Sequence, residues 1–293
     1  MGDTDQQLWD SSSHERVVEG FYGRGVENYD DFHGGYLNFG LWEEGVKDYL
    51  SAAQNLVRRL GEMLGLDESS HLLDVGCGMG AQDVYLHQTF GPRRIDALDV
   101  TWKHVQHGRR RAREAGCDAS VRFHHGTATS LPFPDNTFTH VLSVEAPEHF
   151  RTRERFFGEA VRVLRPGGVI AMADYSLKRA PRSLLDRFVV ESARRLWHVP
   201  RENVDTAESY GAKMERAGFE KVEIKEVGAL TIPGYYFEQR RPETIRDITR
   251  IRGFVAGRLG GVIDLAVYKA FQSGLMEYIL VRAEKGGAPR PIS

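Results

Sequence analysis

The chain has few cysteines, no long apolar run and no excess of charge of either sign. Its 293 residues include only two cysteines, without further ligating residues at regular spacing, which argues against a disulfide scaffold and a metal site. A formal charge of −2 gives no global field that would attract nucleic acid or an anionic membrane. The polar, acidic start lacks an apolar signal segment, and we expect a cytoplasmic protein without nucleic-acid or membrane partners.

The most informative segment is His71–Gly80, where an apolar run ends in Asp74 and three glycines follow at alternate positions. This pattern predicts a buried strand, a tight turn and a helix start, because glycine tolerates positive φ and lets a ligand approach bare backbone. Gly76, Gly78 and Ala81 also fit a dinucleotide fingerprint, so the glycines alone leave the ligand open. Asp74 favours a cationic ligand over a dinucleotide, because a carboxylate beside the turn suits a positive charge better than a pyrophosphate.

Strands and helices alternate through the middle of the chain, which predicts a doubly wound α/β fold with a largely parallel sheet. The first of the predicted helices, Tyr49–Leu64, precedes the sheet, and an aromatic-rich insert, Ile232–Phe271, separates the last two strands. The predicted strands are His71–Val75, Ile95–Val100, Ser120–His124, Thr137–Val144, Val169–Ala173, Lys221–Val227 and Met276–Ala283.

The run Asp74–Gly80 resembles the first motif of the class I S-adenosylmethionine-dependent methyltransferases. The later run Gly126–Phe133 resembles the family's G-D-A-x-x-L-P-F loop, but Thr127 stands where the family usually has Asp. The resemblance spans roughly Tyr22 to Ala283 and is nearest to the small-molecule branch that includes rebeccamycin-type sugar O-methyltransferases. It implies a Rossmann-like, seven-stranded sheet whose last strand runs antiparallel between the fifth and sixth.

By the same resemblance we expect one domain over residues 1–293. It would comprise a helical lid at 1–66, a cofactor-binding core at 67–175 and a substrate-binding cap at 228–275. The lid could cover its own site or that of a second copy, which would make the protein a homo-oligomer.

The resemblance implies S-adenosylmethionine as cofactor. Asp99, at the end of the second strand, would accept hydrogen bonds from the ribose, and Val100 and Ala128 would sandwich the adenine. The family's Asp normally accepts from the adenine amino group, so Thr127 would accept more weakly or another group would substitute. Tyr22, Tyr36 and Trp42 would close over the methionine end. The predicted cofactor-binding residues are Tyr22, Tyr36, Asp74, Gly76, Gly78, Gly80, Gln82, Asp99, Val100, Thr127, Ala128 and Glu145.

For catalysis, the fourth and fifth strands should end side by side and bring His149 near Asp174. By resemblance to the rebeccamycin-type enzymes, His149 is the predicted general base and Asp174 the carboxylate that orients it. Glu148 would place a second acid beside the base. An unperturbed histidine titrates near pH 6.5, so the rate should rise through that range.

The insert favours a small hydrophobic substrate, because apolar and aromatic side chains dominate it. The predicted substrate-binding residues are Tyr235, Tyr236, Phe237, Phe254 and Tyr268. The leading hypothesis is O-methylation of a hydrophobic natural product. C-methylation of an alkene such as a prenyl chain, possibly with cyclisation, and a non-methylating cyclase on the same fold are alternatives. An NAD-dependent oxidoreductase is disfavoured by Asp74 and by the lack of a second catalytic domain.

Overall fold

The computed structural model describes residues 13–23 and 33–287, except for the side chains of 251–252 and 254–259. One seven-stranded sheet lies at its centre in the order β3-β2-β1-β4-β5-β7-β6. The strands are β1 His71–Val75, β2 Arg94–Asp99, β3 Val121–His125, β4 Phe138–Val144, β5 Leu164–Leu177, β6 Phe219–Glu226 and β7 Met276–Lys285. The pairs from β3 across to β5 are parallel, and β7 is antiparallel to both of its neighbours.

This topology confirms the predicted fold. The chain leaves β1 toward β2 and β3 on one side and later returns to β4 on the other, so strand order reverses between β1 and β4. The predicted strands agree with the observed ones within two residues at most ends. The exception is β5, which runs from Leu164 to Leu177 rather than from Val169 to Ala173. Leu164 already pairs with Phe138 before the register shifts, and the last residues up to Leu177 pair with β7.

Helices cover both faces of the sheet. They are α1 Ser13–Tyr22, α2 Tyr49–Leu64, α3 Ala81–Phe90, α4 Trp102–Glu114, α5 Arg153–Val163, α6 Leu184–Leu196, α7 Ala207–Ala217, α8 Ile232–Glu238, α9 Pro242–Arg252 and α10 Phe254–Gln272. Leu72 faces the core under α2 and α3 with Leu56 and Leu86, whereas Leu73 faces α5 and α7. Both leucines are fully buried, as expected for a central strand that packs helices on both sides.

The ends of α2 have residue types that favour helix caps. Asp48 caps α2 by accepting from the Ser51 N–H, and Gly65 ends that helix in the left-handed region at φ 71°. Helices α8 to α10 form the insert between β6 and β7 as a helical cap. Within the described residues, no helix combines the length and apolar character that a bilayer crossing requires.

Candidate active site

A cavity of about 430 Å³ opens where β1, β2, β4 and β5 reach their carboxyl ends. This is the position at which open α/β sheets bind ligands, because strand order reverses there. The lining comes from the glycine turn after β1, the loops after β2 to β4, helix α1 and helices α6, α8 and α10. The site is thus built on the sheet and covered by helices from both ends of the chain.

The glycine turn has the geometry that its sequence predicts. Gly76 and Gly78 line the cavity with φ values of 81° and 56°. A Cβ on Gly76 would lie 2.3 Å from the Ala146 Cβ, so only glycine fits. Gly80 does not line the cavity; a Cβ there would strike the Phe123 ring at 2.6 Å. Gly80 therefore serves packing, and its predicted contact with the cofactor is not seen among the cavity residues.

Four backbone N–H groups of this turn already have acceptors within the protein. Those of Gly76 and Cys77 donate to the Leu98 carbonyl, and that of Gly80 donates to the Cys77 carbonyl. The Gly78 N–H donates to Oδ2 of Asp99 at 2.9 Å. A dinucleotide site needs such groups for its pyrophosphate, so the turn is poorly suited to phosphate and well suited to an uncharged or cationic ligand.

Asp74 lies behind the turn and does not line the cavity. It is fully buried, and its Oδ2 accepts from Nε2 of Gln82, which does reach the cavity. Burial raises the pKa of Asp74 to about 7. Burial and the neighbouring Asp74 also raise the pKa of Asp83 well above its usual range, so the two carboxyls retain a proton. The expectation that Asp74 meets a cation directly is corrected: it positions Gln82. Asp83, a further buried acid, was missed.

Asp99 ends β2 and faces the cavity. Its Oδ1 accepts from the Thr101 N–H at 2.7 Å and from Nδ1 of His104 at 3.3 Å. Burial disfavours its charge, but His104 and the N–H donors outweigh this and hold the pKa of Asp99 below its usual value. An ionised carboxylate with cavity exposure fits the ribose diol of a nucleoside.

The loop after β3 forms the far end of the cavity. Val100 and Ala128, the two residues predicted to sandwich the adenine, both line the cavity. The Thr127 hydroxyl donates to Oε1 of Glu15, which helix α1 places there. Helix α1 therefore contacts the loop after β3 as well as the strand-four region.

Glu145 follows β4 at φ 48° and is held by three donors. Its Oε1 accepts from the Phe39 N–H at 2.7 Å and from the Tyr278 hydroxyl at 2.6 Å, and Oε2 accepts from the Tyr175 hydroxyl at 2.8 Å. Burial raises the pKa of Glu145 to about 7 against the effect of these donors. Glu145 lines the cavity and fixes the Phe39 segment beside it.

His149 lies in a short helical turn, Pro147–His149, directly after β4. Its Nε2 is 2.7 Å from the Tyr22 hydroxyl and 3.6 Å from Oε1 of Glu148. His14 of α1 contacts the His149 carbonyl oxygen at 2.9 Å. Burial lowers the pKa of His149 to about 3, so the imidazole is neutral at physiological pH. This overturns the expected titration near pH 6.5.

Burial raises the pKa of Glu148 well above its usual range, with the Asp174 charge adding to the shift.

Asp174 does not orient His149, contrary to the sequence-based prediction. Its two oxygens accept from Nε and Nη2 of Arg153 at 2.8 and 2.9 Å, and Oδ2 also accepts from the Tyr210 hydroxyl at 3.0 Å. Arg153 and Asp174 are almost completely buried. A bidentate pair of this kind fixes the carboxylate, so Asp174 is structural here. The signal that was missed is Arg153 itself, an arginine in the first turn of a helix that packs on β5.

Of the three aromatic residues predicted to close over the methionine end, the structure places only Tyr22 in the cavity. Tyr36 is buried and its hydroxyl reaches the Ala81 carbonyl at 3.5 Å, outside the cavity lining. The Trp42 indole donates to the Phe39 carbonyl at 2.9 Å and packs against Gly234 of the cap. Both residues fasten the N-terminal segment to the core and do not contact the cavity.

On the substrate side, Tyr235 lines the cavity and stacks on Phe39 with ring centroids 4.1 Å apart. Tyr236, Phe237 and Tyr268 do not line it. Tyr236 stacks on Tyr268 within the cap, and Phe237 is 58% exposed. The Phe254 side chain lies outside the described residues. The sequence reading missed helix α6 and the residues beyond it, which supply Val189, Val190, Ala193, Arg194, Trp197 and Val199. Their helical pattern was visible, but nothing local in it indicated a cavity wall.

No group of three or more ligating side chains in the described part of the chain could hold a metal ion. The residues present instead fit a nucleoside with a cationic tail: an ionised Asp99, a turn that admits backbone contact, and a cavity that ends beside a neutral histidine. Since the bare backbone of Gly76 and Gly78 and the carboxylate of Asp99 all line the cavity, the cradle suits S-adenosylmethionine.

Comparisons with known proteins agree with this geometry. Residues 73–172 match the family described as "Methyltransferase domain". The chain is 36% identical over 198 residues to erythromycin 3''-O-methyltransferase of Saccharopolyspora erythraea, covering 66% of this chain and 65% of that protein. It is 29% identical over 259 residues to 27-O-demethylrifamycin SV methyltransferase of Amycolatopsis mediterranei, covering 87% and 92%.

Solved structures share the fold. The [4+2]-cyclase SpnF superimposes with a TM-score of 0.73 at 24% identity, over 95% of this chain and 98% of that one. Geranyl diphosphate C-methyltransferase from Streptomyces coelicolor A3(2) gives 0.74 at 19% identity, over 94% and 99%. At these identities the likeness concerns the fold. Residues 73–172 therefore form a methyltransferase domain, in a chain that is similar over most of its length to natural-product methyltransferases.

Proposed function

We propose that this protein methylates a hydroxyl group of a small, largely hydrophobic natural product, with His149 as the general base. The observation that carries the proposal is the contact between the Tyr22 hydroxyl and Nε2 of His149 at 2.7 Å. It shows that a hydroxyl inside the cavity can approach this nitrogen at hydrogen-bond distance, which is the first requirement for a base. A substrate hydroxyl would take the place of the Tyr22 hydroxyl when the Tyr22 side chain rotates away and α1 stays docked.

The low pKa of His149 is compatible with this role. S-adenosylmethionine supplies a methyl group on a positively charged sulfur when it is bound. As the substrate oxygen gains its third bond, to the methyl carbon that sulfur releases, its proton becomes strongly acidic, so a neutral imidazole of low basicity can accept it late in the step. The O–H bond breaks, the proton goes to Nε2, and the oxygen keeps the electron pair of that bond. Burial serves this chemistry by keeping Nε2 unprotonated at physiological pH.

The remaining cavity residues would position the reactants. Asp99 would hold the ribose, Gly76 and Gly78 would admit the nucleoside against the backbone, and Gln82 would contact the amino acid end. Glu145 would act by fixing Phe39, which with Tyr235 forms an aromatic wall. Apolar residues of α6 would face the substrate across from that wall. Positioning of this kind supplies much of the rate enhancement in a displacement reaction.

The relatives suggest where to search for the substrate. Their names refer to an erythromycin and a rifamycin intermediate, so hydroxylated macrolides and ansamycins are the first compounds to screen with a donor that carries a labelled methyl group. We expect the label to appear as a methoxy carbon in the product. A label bound to carbon would favour C-methylation instead, and an isomerised product without label would favour a cyclase.

The role of His149 is tested in the same assay. With a hydroxyl acceptor, His149→Ala should lower kcat by about 10²–10⁴-fold while the affinity for S-adenosylhomocysteine stays unchanged. Asp174→Asn should not produce this separation, because Asp174 does not contact His149. Full activity of His149→Ala with an unchanged product would remove the general-base assignment.

A further inference from the structure

The end of the cavity beside β3 contains an acid from the other end of the chain. Glu15 of α1 is 8% exposed and lines the cavity with Thr127. Its Oε1 accepts from the Thr127 hydroxyl and lies 3.4 Å from the Thr129 hydroxyl, and the two threonine hydroxyls are 3.1 Å apart. Burying a carboxylate costs free energy unless hydrogen bonds compensate the lost hydration. The threonine hydroxyls supply such compensation to Glu15.

The order of the strands indicates which part of the cofactor reaches this acid. The argument rests on the proposed function. His149 marks the methyl-transfer end after β4, and Asp99 marks the ribose after β2. The sheet order is β3-β2-β1-β4 in this region. The nucleobase is attached to the opposite side of the ribose from the methionine chain, so it must extend past β2 toward the loop after β3.

The chemistry at that position suits adenine. Val100 and Ala128 provide apolar contacts for the faces of a flat ring. The 6-amino group at the ring edge is a donor and needs an acceptor when it is buried. The Thr127 hydroxyl donates its only proton to Glu15. Toward a ligand, both groups can therefore act only as hydrogen-bond acceptors. Each oxygen of the Glu15 carboxylate has two lone pairs, so this group can accept from several donors at once.

We infer that Glu15 is an adenine-recognition residue: its carboxylate, supported by Thr127, accepts a hydrogen bond from the 6-amino group of the cofactor. Helix α1 then belongs to the cofactor site, since it contributes Glu15 at the adenine end and Tyr22 at the methyl-transfer end. Binding of the nucleoside and docking of α1 reinforce each other, because each supplies partners to the other.

The test compares S-adenosylhomocysteine with S-inosylhomocysteine, which has a carbonyl acceptor in place of the 6-amino donor. Calorimetry should show that the wild-type protein binds the adenosyl compound more tightly, since a carboxylate facing a carbonyl oxygen gives two acceptors without a proton. Glu15→Ala should weaken the adenosyl compound about 10- to 100-fold. Glu15→Gln should erase or invert the preference, because an amide can donate to the carbonyl. Glu19→Gln, one turn along the same helix and outside the cavity lining, is the matched control.

A second variant distinguishes recognition from anchoring. Glu15→Gln combined with Thr127→Asp returns an acid to the same edge from the loop instead of the helix, and it should restore the preference for the adenosyl compound. Equal weakening of both compounds by Glu15→Gln would overturn the inference and leave Glu15 as a helix anchor, as would an unchanged preference. If the wild-type protein binds neither compound, the proposed function fails first.

Discussion

The two halves of the cavity edge use their acids in opposite ways. Beside β1 and β2, Asp99 is held by backbone N–H groups and His104, and its carboxylate still faces the cavity. Beside β5, Asp174 is enclosed by Arg153 and Tyr210 and is fully buried. Both acids end or nearly end a strand of the same sheet. An acid in this position is available to a ligand only when it lines the cavity, as Asp99 does and Asp174 does not.

The largest effect on stability should come from disrupting the buried ion pair between Arg153 and Asp174. Arg153→Met removes the cation that compensates Asp174 and leaves the carboxylate buried without its partner. We expect the free energy of unfolding to fall by about 3–5 kcal/mol, as when one member of a buried ion pair is deleted. Urea denaturation measures it, and Arg155→Met, exposed on the same helix, should change little. A loss below about 1 kcal/mol would show that Asp174 does not depend on this pair.

A matched pair of amides compares the two halves directly. Asp99→Asn should weaken binding of S-adenosylhomocysteine by about 1–3 kcal/mol through lost charge-assisted hydrogen bonds. Asp174→Asn should leave that affinity nearly unchanged and lower stability instead. Calorimetry and denaturation on both variants separate the roles. If both variants bind the cofactor product equally weakly, the division between an open and an enclosed acid is wrong.

A third prediction concerns His149, which follows β4, and its contribution to the pH dependence of stability. The pKa of His149 is about 3 in the folded protein and about 6.5 when unfolded. Between these values the unfolded chain binds more protons, so stability falls as pH decreases from about 6.5 toward 3. For this residue alone, the loss from pH 7 to pH 5 should be on the order of 2 kcal/mol. Measuring the free energy of unfolding of the wild type and of His149→Gln at both pH values isolates the contribution of His149. The variant should lack this contribution.

The smallest expected effect concerns the hydrogen bonds that hold Glu145. Tyr278→Phe and Tyr175→Phe each remove one donor from its carboxyl group and leave the other in place. Each should cost about 1 kcal/mol of stability and raise the pKa of Glu145 further, because burial is then less compensated. Denaturation at pH 6 and pH 8 should show a larger destabilisation at pH 8, where the charged form needs the donors. Equal losses at both pH values would mean that Glu145 remains neutral throughout.

Much of the fold was predictable because its signals are local. The glycine turn after β1, the alternation of strands with helices, and the caps at Asp48 and Gly65 depend on residues a few positions apart. Asp99 was also predictable, since its place at the end of β2 and its donor at Thr101 follow from the strand and the start of the next helix. Short-range geometry therefore gave the half of the cavity that faces the nucleoside.

The sequence by itself determined the strand order expected of the family, the backbone cradle and the position of His149 after β4. Only the tertiary structure decided which side chains complete the site. Asp174 pairs with Arg153, 21 residues earlier, and Thr127 pairs with Glu15, 112 residues earlier. Such pairings depend on how helices pack across the sheet, and no local pattern encodes a partner at that distance. The physical reason is that a carboxyl group at a strand end has the same sequence signature whether a distant cation covers it or a ligand does.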